Sequence, residues 1–97
     1  MIAAFRERSE RIYRLLKKIP GVRVTKPEGA FYIFPNVKSF GLGSLEFCRR
    51  LLEEKHVAAV PGAPFGDDGC VRFSYACSMD TIEEGMERFA AFCASLR

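Results

Sequence analysis

Val71-Arg72-Phe73-Ser74-Tyr75-Ala76 decides how the rest of this chain is read. Val71, Phe73 and Tyr75 alternate with Arg72, Ser74 and Ala76, the period-two pattern of a half-buried strand. One face is apolar and packs; the other carries a permanent cation among small residues. A planar guanidinium on a rigid strand suits two-pronged recognition of a carboxylate or phosphate. The plain alternative is an arginine that simply faces solvent. A Pro/Gly-rich run, Pro61-Gly62-Ala63-Pro64-Phe65-Gly66-Asp67-Asp68-Gly69, leads into the strand, and a helix start at Ser78 or Asp80 follows it.

Working outward, residues 2 to 18 read as an amphipathic helix. Ile2, Phe5, Ile12, Leu16 and Ile19 recur every three or four positions against Arg6, Arg8, Arg11, Arg14 and Lys17. Pro20-Gly21 ends it. Val22-Arg23-Val24-Thr25 alternates as a short strand, and Lys26-Pro27-Glu28-Gly29 is a turn. Ala30-Phe31-Tyr32-Ile33-Phe34 is the most β-prone run, stopped by Pro35-Asn36; the two strands are expected to form a hairpin or a neighbouring pair. Ser44 is the expected N-cap of a helix from Leu45 to about Lys55, with Leu45, Phe47, Cys48, Leu51 and Leu52 as its apolar stripe. His56 to Val60 forms another strand, ended by Pro61-Gly62. The last helix turns Met79, Ile82, Met86, Phe89, Cys93 and Leu96 inward. Gly85, costly in a helix, is expected to mark a close approach of helix to sheet.

The order is therefore α-β-β-α-β-β-α. It predicts an α+β fold, a small sheet packed with helices on one side, in a single domain spanning residues 1–97. A composition of 48% hydrophobic and 28% charged residues suits a chain with a buried core. No run approaches the roughly 18 apolar residues of a membrane span. The start, Met1-Ile2-Ala3-Ala4-Phe5-Arg6-Glu7-Arg8, has no apolar core of a secretory signal, so a cytoplasmic location is expected. The net charge of +3 is spread among interleaved acids and bases, which argues against a nucleic-acid footprint. Cys48, Cys70, Cys77 and Cys93 stand singly, in no metal-binding spacing, and are expected to be reduced thiols.

Catalytic groups are sparse. His56, at a helix-to-strand junction, reads as structural or solvated. Lys17, Lys18, Lys26, Lys38 and Lys55 lie on polar helix faces or in loops, and none reads as a buried amine with a lowered pKa. The glycine-rich loop before Arg72 leads into a strand, so it lacks the helix dipole of a phosphate cradle. Gly29–Phe34 superficially resembles the aromatic strand of an RNA-recognition module. Against this, Glu28 stands where a base is expected and that module's first strand is missing.

Several blocks taken together are more specific. Pro20-Gly21-Val22-Arg23, Lys26-Pro27-Glu28-Gly29-Ala30-Phe31-Tyr32-Ile33-Phe34-Pro35, Val60-Pro61-Gly62-Ala63-Pro64-Phe65-Gly66 and Val71-Arg72-Phe73-Ser74-Tyr75-Ala76 occur in order over nearly the whole chain. With the closing helix at Thr81-Ile82-Glu83-Glu84-Gly85-Met86, the chain resembles the C-terminal portion of class I/II, fold type I aminotransferases, the aspartate aminotransferase group among them. The resemblance implies a small domain that closes over the active site of a larger pyridoxal-phosphate enzyme, homodimeric, which moves an amino group between an amino acid and a 2-oxo acid. It places the arginine that binds the substrate α-carboxylate on Arg72, and a second substrate contact on Phe31. The family's Schiff-base lysine and cofactor-holding residues have no counterpart here. The 97 residues accordingly read as an excised domain or a truncated frame, inactive alone, with the large domain as its partner. Two other readings stand beside this one: a freestanding α+β domain that binds a ligand or RNA, and a structural piece that associates with a separate large-domain chain.

Overall fold

The computed structural model describes residues 2–25 and 32–96. Helix α1 (Ile2–Lys17), strand β1 (Tyr32–Ile33), helix α2 (Ser44–Lys55), strand β2 (Val60–Pro61), strand β3 (Val71–Ser74) and helix α3 (Met79–Ser95) follow one another, with single 3-10 turns at Lys38–Phe40 and Ala63–Phe65. β3 is central in an antiparallel sheet of order β1-β3-β2. The expected α+β fold is present.

Alternation in β3 is as expected: Val71, Phe73 and Tyr75 are buried, Arg72 is half-buried and Ser74 exposed. The inward side chains meet an aromatic cluster from the helices. Phe73 stands edge-on to Phe89 with centroids 5.0 Å apart, and Phe47 packs edge-on to Phe92 at 5.2 Å. Ile12 and Leu16 of α1 join this core. Phe92, absent from the predicted stripe of α3, is fully buried, so the helix buries a broader face than a single three-to-four spacing marks.

The pairing of β1 with β3 runs on past its named residues. Tyr32↔Ser74, Ile33↔Phe73 and the bridge Asn36↔Cys70 share one register. Val71 N–H donates to Pro35 O at 3.1 Å, but proline has no N–H to return, so the ladder loses a bond there and resumes. Pro35 interrupts this strand; it does not stop it. The predicted strand Val22–Thr25 is reduced to one antiparallel bridge, Arg23↔Asn36, at the sheet's edge. The strand expected over His56–Val60 begins only at Val60. His56 instead closes α2 in the left-handed conformation (φ 57°), its N–H donating to Leu52 O at 3.0 Å.

Three expectations about side chains are corrected. Ser44 is the first residue of α2, not its N-cap; Gly43 holds the cap position and makes no side-chain bond. The α2 stripe buries Ser44, Phe47, Cys48 and Leu51, while Leu45 and Leu52 are 63% and 53% exposed. Each of these leucines lies one residue, about 100° of helix turn, beyond a buried position. A Cβ added at Gly85 would meet nothing within 4 Å, so no close approach accounts for that glycine. At α3 the expected cap is present, with Thr81 N–H donating to Ser78 Oγ at 3.2 Å. Ile82, Met86, Phe89 and Cys93 are buried, with Met79 and Leu96 half-buried. The side chains of Ile2 and Phe5, the turn at 26–29 and the first part of the 30–34 strand lie outside the described residues.

Ser44 is fully buried and joins three segments. Its Oγ donates to Asp68 Oδ1 at 2.9 Å and accepts the Ala63 N–H at 3.0 Å, while its own N–H also donates to Asp68 Oδ1 at 3.0 Å. Asp68 thus brings from the loop the anion that the start of α2 favours. Ser44→Ala leaves the Ala63 amide without its acceptor, a loss of about 1–3 kcal/mol. In thermal unfolding that is about 4–8 °C for each kcal/mol at this length. Asp68→Asn, which keeps an acceptor oxygen, is expected to cost less than Asp68→Ala; equal melting temperatures for all three variants and the parent would remove the joint's importance.

Candidate functional site

The outward side of the sheet is built from three strands. Ser74 lies opposite Tyr32 on β1, and Arg72 lies opposite Val60 on β2. Successive residues of a strand alternate sides, so Arg72, Ser74, Tyr32 and Phe34 share one face. That face is unusually apolar for an exposed surface, with Tyr32, Phe34 and Val60 exposed by 39%, 51% and 36%. Arg72 Cζ sits 4.2 Å from the centroid of the Tyr32 ring, within cation–π range. Small residues beside it leave a shallow depression of about 160 Å³, lined by Tyr32, Ala58, Ala59, Val60, Arg72 and Ser74.

The loop between β2 and β3 is rigid by its own hydrogen bonds. Gly62 N–H donates to Cys70 O at 2.9 Å and closes the neck, Asp67 N–H returns to Gly62 O at 3.0 Å, and Gly69 N–H donates to Asp67 Oδ1 at 3.1 Å. A Cβ at Gly62 would collide with the backbone carbonyls of Asp67 and Cys70, so only glycine fits there. Gly66 ends the 3-10 turn with φ 88°. The amides of Gly62, Ala63, Gly66, Asp67 and Gly69 are all engaged within the protein, which leaves this loop no row of donors to cradle a phosphate. Its glycines serve the hairpin that carries Arg72.

The other sequence candidates separate from this site. His56 is exposed at the end of α2 and serves as the helix cap. Lys17, Lys18 and Lys38 are exposed and Lys55 half-buried, so none of the described lysines is a buried amine; Lys26 and Phe31 lie outside the described residues. No group of three His, Cys, Asp or Glu able to hold a metal occurs among the described residues. The four cysteines form no disulfide with one another; Cys48 and Cys93 are buried and Cys70 and Cys77 half-buried. The contact between Tyr32 and Arg72 had no signal in the sequence beyond β-propensity, because it depends on which strand lies beside β3.

A larger depression of about 310 Å³ lies between α1, α3 and the segment after α2, floored by Ile12, Val57, Phe73 and Met86. It does not include Arg72.

Two thiols give the described chain an alkaline limit. Burial pushes the Cys48 thiol from its ordinary 9.0 up to about 11. Burial, then a hydrogen bond and the charge of Asp67, push Cys70 up to about 11. The folded chain holds these protons where the unfolded chain releases them. The resulting stability is fully present below pH 9.0 and is lost as the pH rises toward about 11. Melting temperatures measured between about pH 8 and about pH 10.5 are expected to fall, with a shallower slope in Cys48→Ala; a parallel slope in that variant would contradict the assignment.

Comparison with known proteins places this geometry in context. A family model described as aminotransferase class I and II matches residues 1–89. Aspartate aminotransferase of Bacillus subtilis is 50% identical over 97 residues, covering 95% of this chain and 25% of that protein. Asparagine–oxo-acid transaminase of Streptococcus mutans is 52% identical over 97 residues, with the same coverage of 95% and 25%. The crystal structure of aspartate aminotransferase from Thermotoga maritima superposes with a TM-score of 0.89 at 42% identity, over 97% of this chain and 24% of that one. The chain spans about a quarter of the length of these relatives.

Proposed function

The chain belongs to the class I and II aminotransferases, and from that premise we propose that it is the C-terminal, substrate-binding small domain of a pyridoxal-phosphate enzyme. That enzyme transfers an amino group between an amino acid and a 2-oxo acid. The observation that carries the proposal is Arg72, set on the outward face of β3 at the edge of a depression among small residues. Its planar fork matches a carboxylate with two parallel hydrogen bonds, a geometry that a lysine ammonium does not reproduce. Every amino acid and 2-oxo acid carries that carboxylate, so one fixed arginine serves both half-reactions. Phe31, the neighbour of Tyr32, is the second proposed substrate contact.

The described residues do not fit the cofactor. None of the described lysines is buried, and the glycine-loop amides that a phosphate would need are already bonded. The electron sink for the transfer chemistry is the cofactor's own contribution, and its holding residues belong to the remaining three quarters of such an enzyme. That remainder is the partner we assign to the apolar face of Tyr32, Phe34 and Val60, where it would exclude water from the Arg72–carboxylate pair and strengthen it. The parent is taken to be a homodimer in the cytoplasm. Cysteines without disulfides accord with that compartment, and among the described residues no helix is long and apolar enough to cross a membrane.

Arg72 contacts the substrate in its ground state and transition state alike, so its loss acts mainly on KM. In the intact holoenzyme, Arg72→Lys is expected to raise KM for the amino acid about tenfold or more, with a smaller change in kcat. The 97-residue chain supplied with pyridoxal phosphate is expected not to transaminate. An unchanged KM in the holoenzyme would overturn the assignment of Arg72, and transamination by the isolated chain would overturn the assignment as a partial domain.

A further inference from the structure

Resting on the assignment of Arg72 as the carboxylate clamp, we propose that Tyr32 is its positioning residue. The ring of Tyr32 holds the guanidinium electrostatically in the pose that receives the substrate. The register puts Phe34 directly across from Arg72 and Tyr32 one step further along the same face, on the diagonal that aromatic and long side chains can span. The guanidinium carbon stands 4.2 Å from the ring centroid. At that separation the negative face of the ring attracts the cation.

The need for such a support follows from the side chain itself. Arginine has many rotamers, and a clamp that must be ordered afresh for each substrate gives up affinity to conformational entropy. The depression beside the guanidinium is lined by Ala58, Ala59, Val60 and Ser74 as well as by Tyr32. Tyr32 is the aromatic ring in that lining. It is carried by β1, whose inward neighbour Ile33 is fully buried and anchors the strand. The tyrosine hydroxyl plays no part in the attraction, which depends on the π face.

The test uses the intact holoenzyme, with L-aspartate as probe, or whichever L-amino acid reacts fastest with it. Tyr32→Leu is expected to raise KM by about three- to thirtyfold, and Tyr32→Phe to restore most of that loss. Incorporating phenylalanine with one, two and three ring fluorines at position 32 preserves the ring's shape while draining its negative face. Log KM is expected to rise stepwise with fluorine number, with kcat moving far less. A series flat in fluorine number would overturn the proposal, even if Tyr32→Leu alone raises KM, because bulk and not charge would then be responsible. The fluorinated series still decides the matter if Tyr32→Leu fails to fold. If Arg72→Lys itself leaves KM unchanged, it is the carboxylate clamp that fails. If Arg72→Lys raises KM and the fluorinated series does not, only the role of Tyr32 fails.

Discussion

Ser44 donates its hydroxyl to Asp68 and accepts the amide of Ala63 at a point closed to solvent, so the start of α2 is tied at two points to the β2–β3 loop. Breaking such a joint is costly, because each partner has already given up water to make it. Its position matters more than its energy. Ala63 is one residue beyond Gly62, whose bond to Cys70 closes the neck of the hairpin, and Arg72 lies two residues after Cys70. Anything that loosens Ser44 therefore loosens the base from which the arginine projects.

The two sides of β3 have opposite duties. On the inner side, Phe73 and Val71 are buried against helices, and the edge-on contacts of Phe73 with Phe89 and of Phe47 with Phe89 and Phe92 fill the space between sheet and α3. Edge-to-face aromatic pairs favour particular ring orientations, so this packing fixes the strand in place as well as burying it. On the outer side nothing from the described chain covers Tyr32, Phe34 or Val60 to the same degree. A rigid inner face under an apolar, cation-bearing outer face suits the proposed role of a domain whose outer face meets the rest of a larger enzyme.

Much of this was legible before the fold was known. The alternation of Val71, Phe73 and Tyr75 reports a real half-buried strand, and the three-to-four spacing of Ile12 and Leu16 reports a real helix face. Local chemistry also read correctly at Ser78, which caps α3. The errors occur where a partner distant in sequence intervenes. Ser44 looks like an ordinary cap until Asp68 arrives to do the capping; Leu45 and Leu52 look like core until the helix is rotated by what Phe47 and Leu51 must bury. Pro35 looks like a strand end, because a sequence records the missing N–H but not the neighbour still able to donate to its carbonyl.

By itself, then, the sequence determined the α+β class, the three helices, the strand that bears Arg72, the glycine loop before it and the family likeness. These follow from short-range periodicity and from residue types whose backbone preferences are local. Tertiary structure alone decided that β3 is the central strand, that Ser44 is a joint rather than a cap, and that Tyr32 lies against the guanidinium. Each depends on contacts between segments about ten residues or more apart in sequence, and in the sheet the register of such contacts is set by the burial the whole sheet can achieve.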